Sequence, residues 1–373
     1  MRTTKQKGMR LVPPVLVLRA PFRGERLQLA REFRGFTQKE LAKAADISHS
    51  LVSDYETGKR SPGGAFLDSL ESILGFTAHF FSEKTADPYL SGECNFRHRR
   101  TTPEKMKTQV RAHASLIGLI IEGLRRQFAF PAVNIPAISA VSNEEVEAAA
   151  EKCRVFWDID PYAPISRISR LLENAGVIIV PGVISAPKVD AFSRTGKTPM
   201  VFLNYGPKKT ATKLNFDIGH ECGHLVMHEG IPTGTEGIES SAERFSGALL
   251  MPRRSFTREF QFSRFSWQHM LNLKMRWNVS ASAVVRRAYE LDLLSEAEYR
   301  RAFQQMSALH WTDRGEPNEP IFEGPELFFG ALAALGKSVR MTKSELCRSI
   351  GMSTKTFSEL TNATCLVETS SGQ

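Results

Sequence analysis

The sequence predicts a mainly α-helical chain that includes one α+β domain, in which a small sheet packs on helices. Three observations lead there. Short, capped helical segments fill residues 26–56. A strand-length apolar run precedes a histidine-bearing amphipathic stretch between residues 199 and 228. Apolar residues at helical spacing, stopped by prolines, account for much of the remainder.

The first segment, Leu11 to Leu18, follows a basic start and mimics a signal peptide. Its two prolines, and the lack of a small-residue cleavage site, argue against that and leave a flexible arm over residues 1–20, or an over-extended start with Met9 as initiator. Arg26 to Phe33 then reads as a helix, and Thr37-Gln38-Lys39-Glu40-Leu41-Ala42 opens another. Thr37 with Glu40 three residues later is a capping box, each side chain serving the other's backbone amide. Asp46-Ile47 makes a turn, Ser48 caps a third helix from His49 to Glu56, and Gly58 ends it. Leu51, Val52 and Tyr55 fall on its inner face, leaving His49, Ser50, Ser53 and Asp54 outside. Two short helices joined this way form a helix-turn-helix, whose second helix enters the DNA major groove.

This region resembles the XRE family of phage-repressor-like regulators, in its T-Q-x-E-L-A and then S-x-x-x-Y-E-x-G-K-R-x-P. The resemblance implies a five-helix, lambda-repressor-like domain. Gln38, His49, Ser50 and Asp54 then occupy positions that read bases or clamp the backbone, and Ser48 and Ser53 join them in the expected DNA-binding set. Lys59 and Arg60 would pair with phosphate, the contact that supplies affinity rather than sequence information. Asp54 in a groove needs a cytosine amine to offset phosphate repulsion. A dimer on two half-sites of an operator is expected.

The middle of the chain alternates. Pro103 to Phe130 is a long amphipathic pattern, 133–142 is loop-like, Glu144 to Phe156 is helical, and Ile165 to Leu172 feeds a strand at Val177 to Val180. Pro199 to Asn204 is a second strand, expected to pair with the backbone of a bound peptide. From Leu214 an amphipathic segment carries His220-Glu-Cys-Gly-His224 and, one turn on, His228. Four residues is about one helical turn, so His220 and His224 share a face and can share a metal ion. Glu221 sits beside them, placed to take a proton from a water. A catalytic zinc needs a third protein ligand. Glu239 is the next candidate, on a second helix that ends at Pro252, with Glu243 as its rival one turn later. His228 serves as a catalytic donor, a support to the site, or a cap of the helix end.

These residues resemble the ImmA/IrrE metallopeptidases, whose pattern is H-E-x-G-H followed by E-x-x-A-N-x-F-A and L-L-M-P. Glu239 falls on the family's third ligand, and Ala242, Phe245 and Leu249 to Pro252 on its hydrophobic tail. Glu243 stands where Asn is usual and Ser246 where Ala is usual. Further matches lie at Val189 to Phe192, Trp277 to Ser280 and Gly315 to Pro317, so the likeness covers roughly 153–317. It implies a zincin-like fold, a Zn²⁺ cofactor, Glu221 as the base, and a protein substrate: an XRE-type repressor, or this chain itself. The rival expectation is a non-proteolytic transcription factor or antitoxin whose zincin-like domain is a sensor or scaffold.

After Pro317 the likeness fades into short helices at 325–335, 344–350 and 353–360. Thr342 to Phe357 has a faint helix-turn-helix cadence that reads as a second DNA reader or, the favoured role, as a helical cap or dimer contact. The expected organisation is thus an arm over 1–20, a helix-turn-helix domain over 21–85, a helical connector over 86–150, a zinc peptidase domain over 151–318 and a helical extension over 319–373.

The balance of 49 Lys and Arg against 40 Asp and Glu, net +9, suits a nucleic-acid partner. Arg97, Arg99, Arg100, Lys105 and Lys107 cluster in the connector, an exposed stretch suited to self-cleavage, and Arg286, Arg287, Arg300 and Arg301 recur later. Five scattered cysteines without a C-x-x-C exclude a disulfide framework and fit a reducing cytoplasm. Cys94 and His98 have ligand spacing but no partner pair, and Cys222 is expected to pack away from the histidines. A membrane partner is not expected.

Overall fold

The computed structural model describes residues 21–83, 94–96, 103–182, 190–205, 209–232, 235–260, 265–339 and 341–362. The proposed arm, the Leu11–Leu18 run, Arg97, His98, Arg99, Arg100 and Val189 lie outside them. The first helices are α1 (Gly24–Phe33), α2 (Gln38–Ala44), α3 (His49–Glu56) and α4 (Gly64–Leu74). The capping box forms as expected: Thr37 Oγ1 accepts from Glu40 N, and Thr37 N donates to Glu40 Oε2 at 2.6 Å. Ser48 caps α3 through Leu51 N. The fifth helix against this group is the long α5 (Glu104–Arg125), which packs on α1.

The sequence reads α5 as an amphipathic connector, but its middle, from Ala112 to Gly118, is buried on every side. The reason lies on both its flanks. One core takes in the first four helices, α5, residues Ile178, Val180, Phe192 and Phe202 of the sheet, and Phe328, Leu346, Met352 and Phe357 near the C-terminus.

The sheet comprises β1 (Cys94–Phe96), β2 (Ile178–Pro181), β3 (Ala191–Arg194) and β4 (Met200–Leu203), in the order β1-β3-β4-β2. Only β2 and β4 run parallel. Since alternate residues point to opposite faces, Ile178, Val180 and Phe202 face the first core, while Ile179, Val201 and Leu203 face a second. Strands β2, β3 and β4 are buried on both faces, which is why β2 and β4 read as continuous apolar runs rather than alternating ones.

Position in the sheet also corrects one expectation. β4, the strand before the histidine helix, is bonded to β3 on one side and β2 on the other. Its backbone is committed and leaves no edge for a substrate strand.

The second core is built by α6 (Asn143–Phe156), α7 (Ile168–Asn174), α8 (Ala211–Met227), α9 (Ile238–Leu250), α10 (Arg253–Phe260), α11 (Trp267–Trp277), α12 (Ala281–Glu290) and α13 (Glu296–Ala308). The short α14 (Trp311–Arg314) follows, then α15 (Leu327–Ala334), α16 (Lys343–Ile350) and α17 (Thr354–Asn362). The flanking sequence matches brace the start of α8 and its surroundings. Glu316 accepts from the first amides of α12, Ala281 N at 2.7 Å and Ser282 N at 3.2 Å. The fully buried Lys274 joins Glu316 to Glu319, and Glu319 accepts from Thr212 on α8. Asp190 and Asp217 share Lys209.

Candidate metal centre and nucleic-acid interface

Helix α8 owes its close seat on α9 to two glycines. A Cβ on Gly219 would lie 2.5 Å from Ser246 Oγ, and one on Gly223 would lie 3.1 Å from Phe245 and 3.2 Å from Ala242 Cα. Small residues on α9 complete the fit, and Ser246, where the family pattern has alanine, donates to Phe216 O at 2.8 Å. This approach brings Glu239, in the first turn of α9, onto the histidines.

His220 Nε2 and His224 Nε2 are 3.1 Å apart, and each lies 3.4 Å from a different oxygen of Glu239. A tetrahedral ion with bonds of about 2.0 Å requires donor atoms roughly 3.3 Å apart. The three residues therefore fit zinc in donor type and in spacing. They are the trio of His, Cys, Asp and Glu side chains among the described residues that is gathered closely enough to hold an ion. Both histidines are buried, whereas the Glu239 side chain is 40 % exposed, so the cluster meets solvent on that side. Glu243 is turned away to Arg286, at 3.2 Å. Glu221 is fully buried beside His220.

His228 lies behind His224 rather than among the donors. His224 Nδ1 is 3.0 Å from His228 Nδ1, and His228 Nε2 is 3.0 Å from Ser241 Oγ. The Ser241 hydroxyl donates to Ile238 O, so its lone pair accepts from His228 Nε2–H. His228 Nδ1 then accepts from His224 Nδ1–H, which leaves the lone pair of His224 on Nε2, facing the cluster. Burial pushes the His228 pKa down, against the pull of Glu239 in the other direction, and keeps that ring neutral. Sequence reasoning did not find Ser241: a serine one turn into a helix carries no signal until its neighbours are known. Cys222, as expected, is packed in the second core, and burial raises its thiol pKa well above normal.

At the other site, His49, Ser50 and Lys59 are exposed along and just beyond α3, and Ser53 is half-buried. Ser48 Oγ reaches Ser50 Oγ at 2.9 Å. Asp54 pairs with Arg60 Nε at 3.4 Å, so its carboxylate meets an arginine before it would meet phosphate. Gln38 Nε2 donates to Glu56 Oε2 at 2.7 Å, and the same carboxylate is held by Arg31 Nε at 2.6 Å. That ion pair between α1 and α3, only 11 % and 5 % exposed, fixes the angle of the reader helix. It was not anticipated from sequence, because the partners are 25 residues apart.

Comparison with known proteins agrees on both regions. Residues 27–81 match a helix-turn-helix family model, and residues 173–289 match the IrrE N-terminal-like domain. The HTH-type transcriptional regulator DdrOP3 of Deinococcus deserti is 39 % identical over 69 residues, which is 17 % of this chain and 54 % of that protein. The uncharacterized HTH-type transcriptional regulator YazB of Bacillus subtilis is 34 % identical over 55 residues, 15 % of this chain and 80 % of the relative. An uncharacterized HTH-type regulator of Archaeoglobus fulgidus is 43 % identical over 51 residues, 14 % of this chain and 22 % of its own length. The chain thus spans about half the length of the Deinococcus relative. The chain belongs to the helix-turn-helix transcriptional regulators of the XRE type, and behind its reader it carries an IrrE/ImmA-like domain.

Proposed function

We propose that this regulator is also a zinc-dependent endopeptidase, and that it cleaves either itself or a separate XRE-type repressor. The observation that carries the reading is the trio His220, His224 and Glu239, with donor atoms 3.1 to 3.4 Å apart and Glu221 adjacent in sequence. When bound, zinc supplies Lewis acidity that brings a water's pKa toward neutrality and polarises a carbonyl. The Glu221 carboxylate takes the proton from the attacking water and passes it to the leaving amide nitrogen, so that water and one peptide bond become a carboxylic acid and an amine. His228 and Ser241 act through His224, holding its ring in the tautomer that presents Nε2.

At the reader, His49, Ser50 and Ser53 face bases, and Lys59 and Arg60 face phosphate. Asp54 positions Arg60, and Gln38 exchanges its bond to Glu56 for a DNA contact on binding. The working organisation keeps the boundaries expected from sequence, with a dimer on an operator in the cytoplasm. No helix among the described residues is long and apolar enough to cross a membrane.

Zinc per chain, measured in wild type and Glu239→Ala purified without added metal, tests the centre. One equivalent lost or weakened in the variant supports it; no zinc in wild type even after reconstitution sinks the peptidase reading and leaves the regulator. Intact-mass spectra of wild type beside Glu221→Gln, each alone and with an XRE-type repressor, then separate self-cleavage from cleavage in trans.

A further inference from the structure

Residues 342–360 repeat residues 37–55 at a constant offset of 305 positions, from Thr37 to Thr342 and from Ser48 to Ser353. The repeat is in the hydrogen bonds as well as the letters. Thr342 and Glu345 form a capping box at the start of α16, as Thr37 and Glu40 do on α2. Leu346 N donates to Thr342 O, as Leu41 N does to Thr37 O, both at 3.0 Å. In the turn, Gly351 N donates to Arg348 O and Met352 N to Cys347 O; Asp46 N to Lys43 O and Ile47 N to Ala42 O are their counterparts. Gly351 and Asp46 both take positive φ, 77° and 52°. Ser353 then accepts from Thr356 N, as Ser48 does from Leu51 N. The inward residues match too: Leu346, Cys347 and Phe357 are buried where Leu41, Ala42 and Val52 are.

Exposure follows the same rule. Thr354 and Lys355 are exposed, and Ser358 and Glu359 half-buried, as are His49, Ser50, Ser53 and Asp54. The second unit is braced from behind. Glu359 and Thr356 hold Arg34, which caps the end of α1, and Ser353 N donates to Gly75 O. This bracing uses Ser353, Thr356 and Glu359 and leaves Thr354 and Lys355, at the start of α17, outward. At two outward positions the second unit gains charge: Lys343 stands where Gln38 does, and Lys355 where Ser50 does. Lys343 is anchored over the Phe357 ring and donates to Ser358 Oγ, and Arg348 is exposed at the end of α16.

We propose that α16 and α17 are a second helix-turn-helix that binds duplex DNA, with Lys343 and Lys355 on phosphates. The unit adds affinity and length of site more than base reading, since its gained side chains are cations rather than amides. It rests on the reading of α2 and α3 as the first DNA reader, and the experiment separates the two.

The probe is a fluorescent pool of random-sequence duplexes, titrated with the full chain across a range of salt. Each phosphate contact contributes about 0.9 to the slope of log affinity against log salt, so Lys343→Ala/Lys355→Ala lowers the slope by about 1.8. Between about 50 and 200 mM salt its affinity then falls roughly twelve-fold less than that of wild type. Lys355→Glu alone alters an exposed side chain outside the packing and gives a slope reduced by about 0.9 or more. Lys343→Arg/Lys355→Arg restores the wild-type slope. An unchanged slope in Lys355→Glu, with a reduced one in Lys59→Ala/Arg60→Ala, overturns the proposal, makes α16 and α17 a brace or dimer contact, and leaves the first reader standing. A slope that falls only in the second-unit variants upholds the proposal and removes the first reader. No binding of duplex by wild type removes both.

Discussion

The imidazole of His224 has two nitrogens, and each has its own task. Nε2 faces His220 and Glu239, while Nδ1 faces His228, which in turn meets Ser241. A ring free to flip or to change tautomer would offer the cluster an N–H instead of a lone pair for part of the time, and metal affinity would fall accordingly. Outer partners of metal-bound histidines are commonly worth about 10- to 100-fold in affinity. Ser241→Ala and His228→Phe are therefore expected to weaken zinc by that amount in competition with a chromogenic chelator. On the proposed peptidase reading, Glu221→Gln changes a proton carrier and not a ligand, and is expected to leave zinc affinity near wild type and to end any hydrolysis. An unchanged affinity in both Ser241→Ala and His228→Phe would show that the bonded chain does not position His224. His220, Glu221, His224 and Glu239 were legible from spacing and resemblance, because a shared helix face follows from a four-residue interval. Ser241 was not, because its importance arises from a neighbouring helix.

Two helices meet closely at the site because α8 carries no side chain at Gly219 and Gly223, and α9 offers small ones at Ala242 and Ser246. Gly223→Ala would place a methyl group 3.1 to 3.3 Å from Phe245 and Ala242, pushing α9 and its Glu239 away from the histidines. The expected cost is about 1–3 kcal/mol of stability, as for other overpacked cores, together with loss of bound zinc. A variant that melts like wild type and keeps its zinc would mean that α9 gives way freely. Behind α9, Glu147 of α6 receives Arg287 at 2.6 and 2.7 Å and Arg244 at 3.1 Å. Arg287 is 1 % exposed, so Glu147→Ala strands a buried cation and is expected to cost about 3–5 kcal/mol in denaturant unfolding. A loss under 1 kcal/mol would show that the two arginines find other partners. At this scale the helices were readable from apolar period and caps, and β2 and β4 from their aliphatic runs. Strands β1 and β3 were missed, being three and four residues long, with polar residues that give no apolar run. The α16–α17 turn was only faintly legible, because Gly351 and Met352 replace Asp46 and Ile47 and no Gly-Lys-Arg follows it.

Across the whole molecule, α5 and the sheet join the reader to the candidate metal centre. His113, in the middle of α5, marks the join. Its ring lies 6.2 Å from that of Phe33 on α1 and 6.5 Å from that of Phe202 on β4, and its Nε2 has no hydrogen-bond partner among the described residues. Burial alone lowers its pKa from 6.5 to about 4, for an imidazolium placed there would lose its hydration and gain no counter-charge. The sign follows from proton uptake. Above pH 6.5 both folded and unfolded chains hold this ring neutral, and it adds nothing to the pH dependence. As the pH falls below 6.5 the unfolded chain takes a proton that the folded chain refuses, so stability is lost down to about pH 4. A depression of this size corresponds to a loss on the order of 3 kcal/mol. His113→Leu keeps the site apolar and removes the titration. Its denaturant stability, measured at pH values from 7 to 4, is expected to fall less steeply than that of wild type, the two curves diverging below pH 6.5. Parallel curves would show that the ring is hydrated or paired in the folded chain, and that the join between reader and sheet is looser than its packing implies.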